Sequence, residues 1–154
     1  MKAIMHSLLF ITIFFFPLVM EAQESPFGDH YWEVVSLSIS PAVDVDMDGN
    51  ADTDLRFLIP PCEKDDTHRY QNDGTIITNR GKIKCEDDEE KIEEVGTWTY
   101  DKNTKKLIID KYETEATKEA IVEAASGSKI VYITHIESPH GGHTVRATLK
   151  AVKK

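Results

Sequence analysis

Cysteine is nearly absent from this chain: of 154 residues only Cys62 and Cys85 carry sulfhydryl chemistry. They form no CxxC pair and no histidine is placed to complete a ligand set, which argues against a zinc site or a catalytic dithiol. Basic charge is also scarce. Eighteen Lys and Arg against 27 Asp and Glu leave a formal net charge of -9, a balance that opposes nucleic acid and anionic membrane surfaces as partners. GxSxG, HExxH and phosphate-cradling glycine loops are missing. Without a recognisable nucleophile, base or catalytic metal the chain reads as a non-enzyme. The minority alternative is a small barrel enzyme whose site is assembled from distant strands.

Long apolar runs are missing too, except at the start. Met1-Lys2 carries one positive charge ahead of Leu8-Leu9-Phe10-Ile11-Thr12-Ile13-Phe14-Phe15-Phe16, and Pro17 follows. The run is short for a bilayer span and has the anatomy of a cleavable secretory signal; a retained anchor is the alternative. Met20-Glu21-Ala22 ends it, with small Ala22 before the cut and Gln23 opening the mature chain. The expected division is a signal peptide over 1–22 and one domain over 23–154, since about 130 residues suit a single core. No cysteine lies near the junction for a lipid anchor, so a soluble secreted or periplasmic product is expected. Cys62 and Cys85 then reach an oxidising compartment, where a disulfide is the expected outcome over a thiol nucleophile or metal pair. Closing that loop stabilises a fold by roughly 3 kcal/mol on the chain-entropy model.

Downstream, hydrophobicity alternates with a period of 2 and turn residues recur at short intervals, the pattern of strands. Val35, Leu37 and Ile39 share one face of a strand expected to stop before Pro41. Leu55-Arg56-Phe57-Leu58-Ile59 suits a short strand or a single helical turn, closed by Pro60-Pro61. Three hairpins follow. Residues 67–71 and 75–78 flank Asn72-Asp73-Gly74, residues 95–100 and 106–112 flank Asp101-Lys102-Asn103-Thr104, and residues 129–137 and 144–152 flank Ser138-Pro139-His140-Gly141-Gly142. The acidic stretch 86–90 reads as a solvated loop. Residues 116–125 are rich in alanine, glutamate and lysine, a composition of helical propensity. Their position between hairpin arms favours an eighth strand, with a helix as the alternative. The fold class expected is all-β, an antiparallel eight-stranded up-and-down barrel.

Asp44, Asp46 and Asp48, then Gly49 and Asn50, then Asp52 and Asp54 put oxygen donors at alternate positions with a glycine after the third carboxylate. That spacing wraps a hard cation, and calcium suits it. Position twelve from Asp44 is Leu55, however, where an EF-hand has its bidentate glutamate, so Asp52 or Asp54 would have to substitute. A solvated acidic turn is the competing reading. No cofactor is otherwise required. His140 and His143 are the only close histidine pair and sit on a hairpin tip as ordinary turn residues; His30, His68 and His135 are scattered.

The order Cys62-Glu63-Lys64-Asp65-Asp66, Asn72-Asp73-Gly74-Thr75, Cys85 and Gly96-Thr97-Trp98 resembles the secreted lipocalin-like domains of Bacteroidota-type bacteria, over most of the mature chain. It departs at the first strand, where Gly28-Asp29-His30-Tyr31-Trp32 stands for the usual Gly-x-Trp. The resemblance implies a barrel that carries or senses a small hydrophobic molecule. Ile76, Trp98, Leu107, Ile130, Tyr132 and Leu149 are the candidate interior residues, and Trp32 and Trp98 are expected to fill the closed end. The alternative is a filled barrel acting as a calcium-stabilised extracellular or envelope interaction module.

Overall fold

A computed structural model describes residues 25–28, 30–112, 114, 117–138 and 141–153. The expected signal segment, Gln23, Asp29, Ala116, Pro139 and His140 lie outside these. Nine strands form among the described residues: β1 Tyr31–Val43, β2 Asp52–Asp54, β3 Thr67–Tyr70, β4 Thr75–Asn79, β5 Ile92–Asp101, β6 Lys106–Lys111, β7 Lys118–Ala125, β8 Lys129–Ser138 and β9 Gly141–Val152. All pairings are antiparallel. β1 and β3 to β9 follow one another around the sheet, and β1 pairs with β9 from Tyr31↔Val152 to Ser40↔Thr144. Eight strands therefore close an up-and-down barrel, and β2 is an unanticipated addition on the outer run of β1.

Alternation decides which side chains face inward. On β8 and β9, Ile130 lies opposite Leu149, Tyr132 opposite Ala147 and Thr134 opposite Val145. On β5 and β6, Trp98 meets Ile109 and Tyr100 meets Leu107. Bulges reset this phase. In β1, Val34 pairs with Leu149 but Ser36 with Thr148, which leaves Val35 as the extra residue and turns Trp32 and Val34, then Leu37 and Ile39, inward. The face expected from Val35, Leu37 and Ile39 is therefore correct for its last two members only. The guanidinium of Arg56 donates to the carbonyl of the bulged Val35 at 3.3 Å.

β1 does not stop before Pro41 but runs on to Val43, with the Ser40–Pro41 peptide cis. The β9 ladder ends at Ser40, so the missing proline N–H leaves no rung unmade. Residues 55–59 adopt the single-turn alternative, a 3-10 helix over Arg56–Leu58. The segment of helical propensity becomes a strand over its described residues 118–125. Ala120 and Val122 bury on the barrel side while Lys118, Glu119, Ile121 and Glu123 stay exposed, so burial at period 2 outweighs local preference. The third hairpin is tighter than expected, with Ser138 and Gly141–Gly142 inside the ladder.

The two ends differ. At one end short turns join β3 to β4, β5 to β6 and β7 to β8, and Phe27 plugs the opening. Its ring stacks on Tyr70 at 4.0 Å and meets Trp98 edge-on at 5.3 Å, and its carbonyl accepts the Trp32 indole N–H at 2.9 Å. The Trp98 indole donates to the Gln71 carbonyl at 2.9 Å. Both buried indoles thus satisfy their one donor while contributing large apolar area. At the other end the long connections 44–51, 55–66 and 80–91 surround a mouth.

Gly96 lies where β5 bulges at Val95, since Ile76 pairs with Gly96 and Ile77 with Glu94. A Cβ there would stand 2.2 Å from the Asp110 carbonyl oxygen and 2.9 Å from Lys111 Cα, both backbone atoms of β6. Gly96→Ala is expected to cost about 2 kcal/mol or more by forcing the strands apart, read as a lowered urea midpoint at unchanged slope.

Candidate functional site

The lumen has a packed floor and a looser wall. Ile76, Trp98, Leu107, Ile130 and Leu149, five of the six candidate interior residues, are buried in one cluster with Phe27, Trp32 and Tyr70. They make the floor. Tyr132, the sixth, is only half-buried, as are Val34, Leu37, Thr134 and Val145 on neighbouring inward rows. Burial nonetheless raises the Tyr132 phenol pKa. These inward rows are thus less tightly packed than the floor beneath them.

Two polar residues complete the wall and were not singled out by sequence reasoning. His68 and Thr78 face each other across β3 and β4, with His68 Nδ1 and Thr78 Oγ1 2.8 Å apart. Each lies two residues from an apolar inward position, Tyr70 and Ile76, so strict alternation marks them and only their polarity conceals them. Burial, with Lys111 and Arg80 nearby, pulls the His68 pKa from 6.5 down to about 4 against the opposing pull of Asp66. The imidazole is neutral at physiological pH.

The mouth is pinned covalently. Cys62 and Cys85 form the expected disulfide and tie the 55–66 connection to the 80–91 connection. Beneath it the Arg80 guanidinium pairs with Asp66 at 3.2 Å, Glu89 at 3.2 Å and Glu93 at 2.7 Å, and buried Asp66 also accepts the Gly81 N–H at 2.6 Å. The acidic stretch 86–90 is therefore a structural partner in part, because Glu89 also accepts the Cys85 N–H. Phe57, Leu58, Ile83, Ile92 and Tyr112 are exposed on the connections and strand ends of this side.

The acidic loop folds on itself. Carboxylate oxygens of Asp44, Asp46 and Asp48 lie within 4.8 Å of one another. Asp44 accepts the N–H groups of Asp48 and Gly49, and Asp48 accepts that of Asn50. Asp52 and Asp54 do not join the three. Asp52 accepts the Val45 N–H and Asp54 that of Arg56. Leu55, at the twelfth position, is buried and donates its N–H to the Leu37 carbonyl.

His143 is no turn residue. It is buried, with Nδ1 donating to the Pro41 carbonyl at 3.0 Å and Nε2 3.1 Å from Ser138 Oγ, so neither ring nitrogen is left for a metal. The position opposite Ile136 turns it inward, which hairpin composition alone could not show. His30 lies edge-on to Trp32, and exposed His135 is 3.1 Å from Thr144 Oγ1. A depression of about 290 Å³ at the closed end is lined by Gly28, Arg69, Tyr70, Gln71, Asn72 and Asp73 and is separate from the mouth. No helix among the described residues is long and apolar enough to cross a membrane.

These features define a closed antiparallel barrel with a plugged floor and a pinned mouth. No family model and no curated protein matches the chain. Among solved structures it is similar to bovine odorant binding protein. The complex with undecanal is 12% identical, covering 87% of this chain and 77% of that one, with a TM-score of 0.42. The complex with its natural ligand is 13% identical, covering 87% and 76%, with a TM-score of 0.42.

His68 gives this site a pH signature. Between its folded value of about 4 and its ordinary 6.5 the unfolded chain takes up the proton and the folded chain does not. Its contribution is therefore fully present above the unfolded value and is lost as pH falls toward the folded one. The stability difference between wild type and His68→Asn is expected to shift by about 3 kcal/mol against wild type on going from neutral pH to about pH 4. Parallel pH-stability curves for the two proteins would contradict a buried neutral imidazole.

Proposed function

We propose that this chain is an exported lipocalin-like binding protein, cleaved after Ala22 and soluble thereafter, that carries or senses a small hydrophobic molecule in its lumen. The observation that carries this reading is the division of the interior: a packed aromatic floor beneath inward rows whose Tyr132, Val34 and Leu37 are only half-buried. Apolar walls around a space open at one end favour a hydrophobic guest, because each buried methylene contributes about 0.8 kcal/mol. The exposed apolar side chains of the mouth give such a guest a wetted path inward.

Native mass spectrometry of the protein recovered from the producing cells' export compartment, without detergent or chelator, tests this. The expected result is an added mass in the range of a small lipid or terpenoid, lost on denaturation, on a chain beginning at Gln23. A bare protein, or one bearing only a calcium-sized increment, would move the reading to a filled barrel.

That second reading, a calcium-stabilised extracellular or envelope interaction module, is favoured by the convergence of Asp44, Asp46 and Asp48. Three carboxylates so close repel one another, and a divalent ion relieves the repulsion. Without a bidentate twelfth ligand the affinity belongs to the weak range of extracellular sites. Calcium is expected to raise the melting temperature of wild type and to leave the Asp46→Ala, Asp48→Ala double variant unmoved. An equal rise in both proteins would remove calcium from this loop.

A further inference from the structure

The lumen wall is not uniformly apolar, and the arrangement of its polar groups narrows what it holds. Tyr132 points inward from the middle of β8, one inward position above Ile130 of the floor, with Val122 and Ala147 as its cross-strand neighbours. None of these neighbours offers its hydroxyl a side-chain partner. The phenol oxygen makes no hydrogen bond to any described residue, and it is not among the shielded side-chain atoms that lack one, which are Arg56 Nε, Arg69 Nε, Asn79 Oδ1 and Arg80 Nε. It therefore keeps some accessible surface on the inward face of β8. Tyr70 lies close enough that its ionisation is opposed by Tyr132, and burial keeps both phenols protonated. Near-opposite in the eight-strand ring, His68 spends Nδ1 on Thr78 and leaves Nε2 as its free hydrogen-bonding atom.

We propose that the lumen ligand is an uncharged amphiphile whose apolar body rests on the aromatic floor and whose carbonyl- or ether-type oxygen accepts a hydrogen bond from Tyr132, with His68 Nε2 as the second polar contact. This rests on the carriage reading above and goes beyond it by excluding two of the three obvious ligand types. A pure hydrocarbon would strip water from the Tyr132 hydroxyl and return nothing, at the cost of an unsatisfied buried donor. A carboxylate would be desolvated beside Val122, Ala147 and Leu37, none of which is charged. The two cations whose charge reaches His68, Lys111 and Arg80, stand at the mouth end and already have partners.

The test uses the intact protein and three probes of equal chain length: a straight-chain methyl ketone, the corresponding n-alkane and the corresponding carboxylate. Trp98 and Trp32 are the only tryptophans and both lie in the floor, so their fluorescence reports occupancy of the lumen. The ketone is expected to bind about tenfold more tightly than either other probe. Tyr132→Phe should remove most of that advantage, weakening the ketone and, with no hydroxyl left to desolvate, tightening the alkane; the wild-type ratio needs no variant and stands even if the substitution impairs folding. Equal binding of ketone and alkane would overturn the polar anchor and leave carriage standing. Tightest binding of the carboxylate would overturn the uncharged ligand. Failure of all three to bind would remove carriage itself, and this inference with it.

Discussion

Everything in this molecule depends on the ladder that joins the first strand of the barrel to the last. The pairing of β1 with β9 brings residues more than a hundred positions apart into register and leaves no free edge between them. Closure satisfies the backbone groups that an open eight-strand sheet would expose, and it creates an inside. Only then do the alternate residues of each strand acquire separate fates. The bulges at Val35, Val95 and Glu123 adjust the phase so that closure is geometrically feasible, and the carbonyl freed at Val35 is taken up by Arg56.

The ends of the barrel are built by different physics. The floor is an apolar contact network of Phe27, Tyr70, Trp32 and Trp98, in which the polar edges of the indoles are satisfied by nearby carbonyls. The mouth has little apolar packing and relies on a disulfide and on Arg80, which gathers three carboxylates from separate segments. Breaking such a partly buried cluster leaves charges uncompensated, so it specifies the arrangement of the connections as much as it stabilises them. Between the ends lies the half-buried wall where Tyr132, His68 and Thr78 supply the polar chemistry that the floor lacks.

Much of this was legible from residues alone. The hairpin at Asn72-Asp73-Gly74 follows from a glycine at φ of +91°, and the inward rows of β8 and β9 from alternation. The six candidate interior residues all face inward, but their division into floor and wall was not readable, because burial depends on strands distant in sequence. His143 and His68 show the same limit in polar residues. Composition assigned one to a turn and the other to a scattered set of surface or strand histidines, whereas register buries both. Phe27 had no signal at all: an isolated aromatic after Ser25-Pro26 becomes the plug only because a barrel end stands open beside it.

The six-residue acidic pattern divides in the fold. Three carboxylates converge, while Asp52 and Asp54 are drawn away by the Val45 and Arg56 amides. By itself the sequence determined most of the barrel strands, the first two hairpin turns and the pairing partner of each cysteine, since a period of 2, a positive φ and a count of two are local or exclusive properties. Tertiary structure alone decided which polar groups became internal, which carboxylates were left free, and whether residues of helical propensity became a strand. Those outcomes are set by neighbours brought together at closure, and no window of the chain contains them.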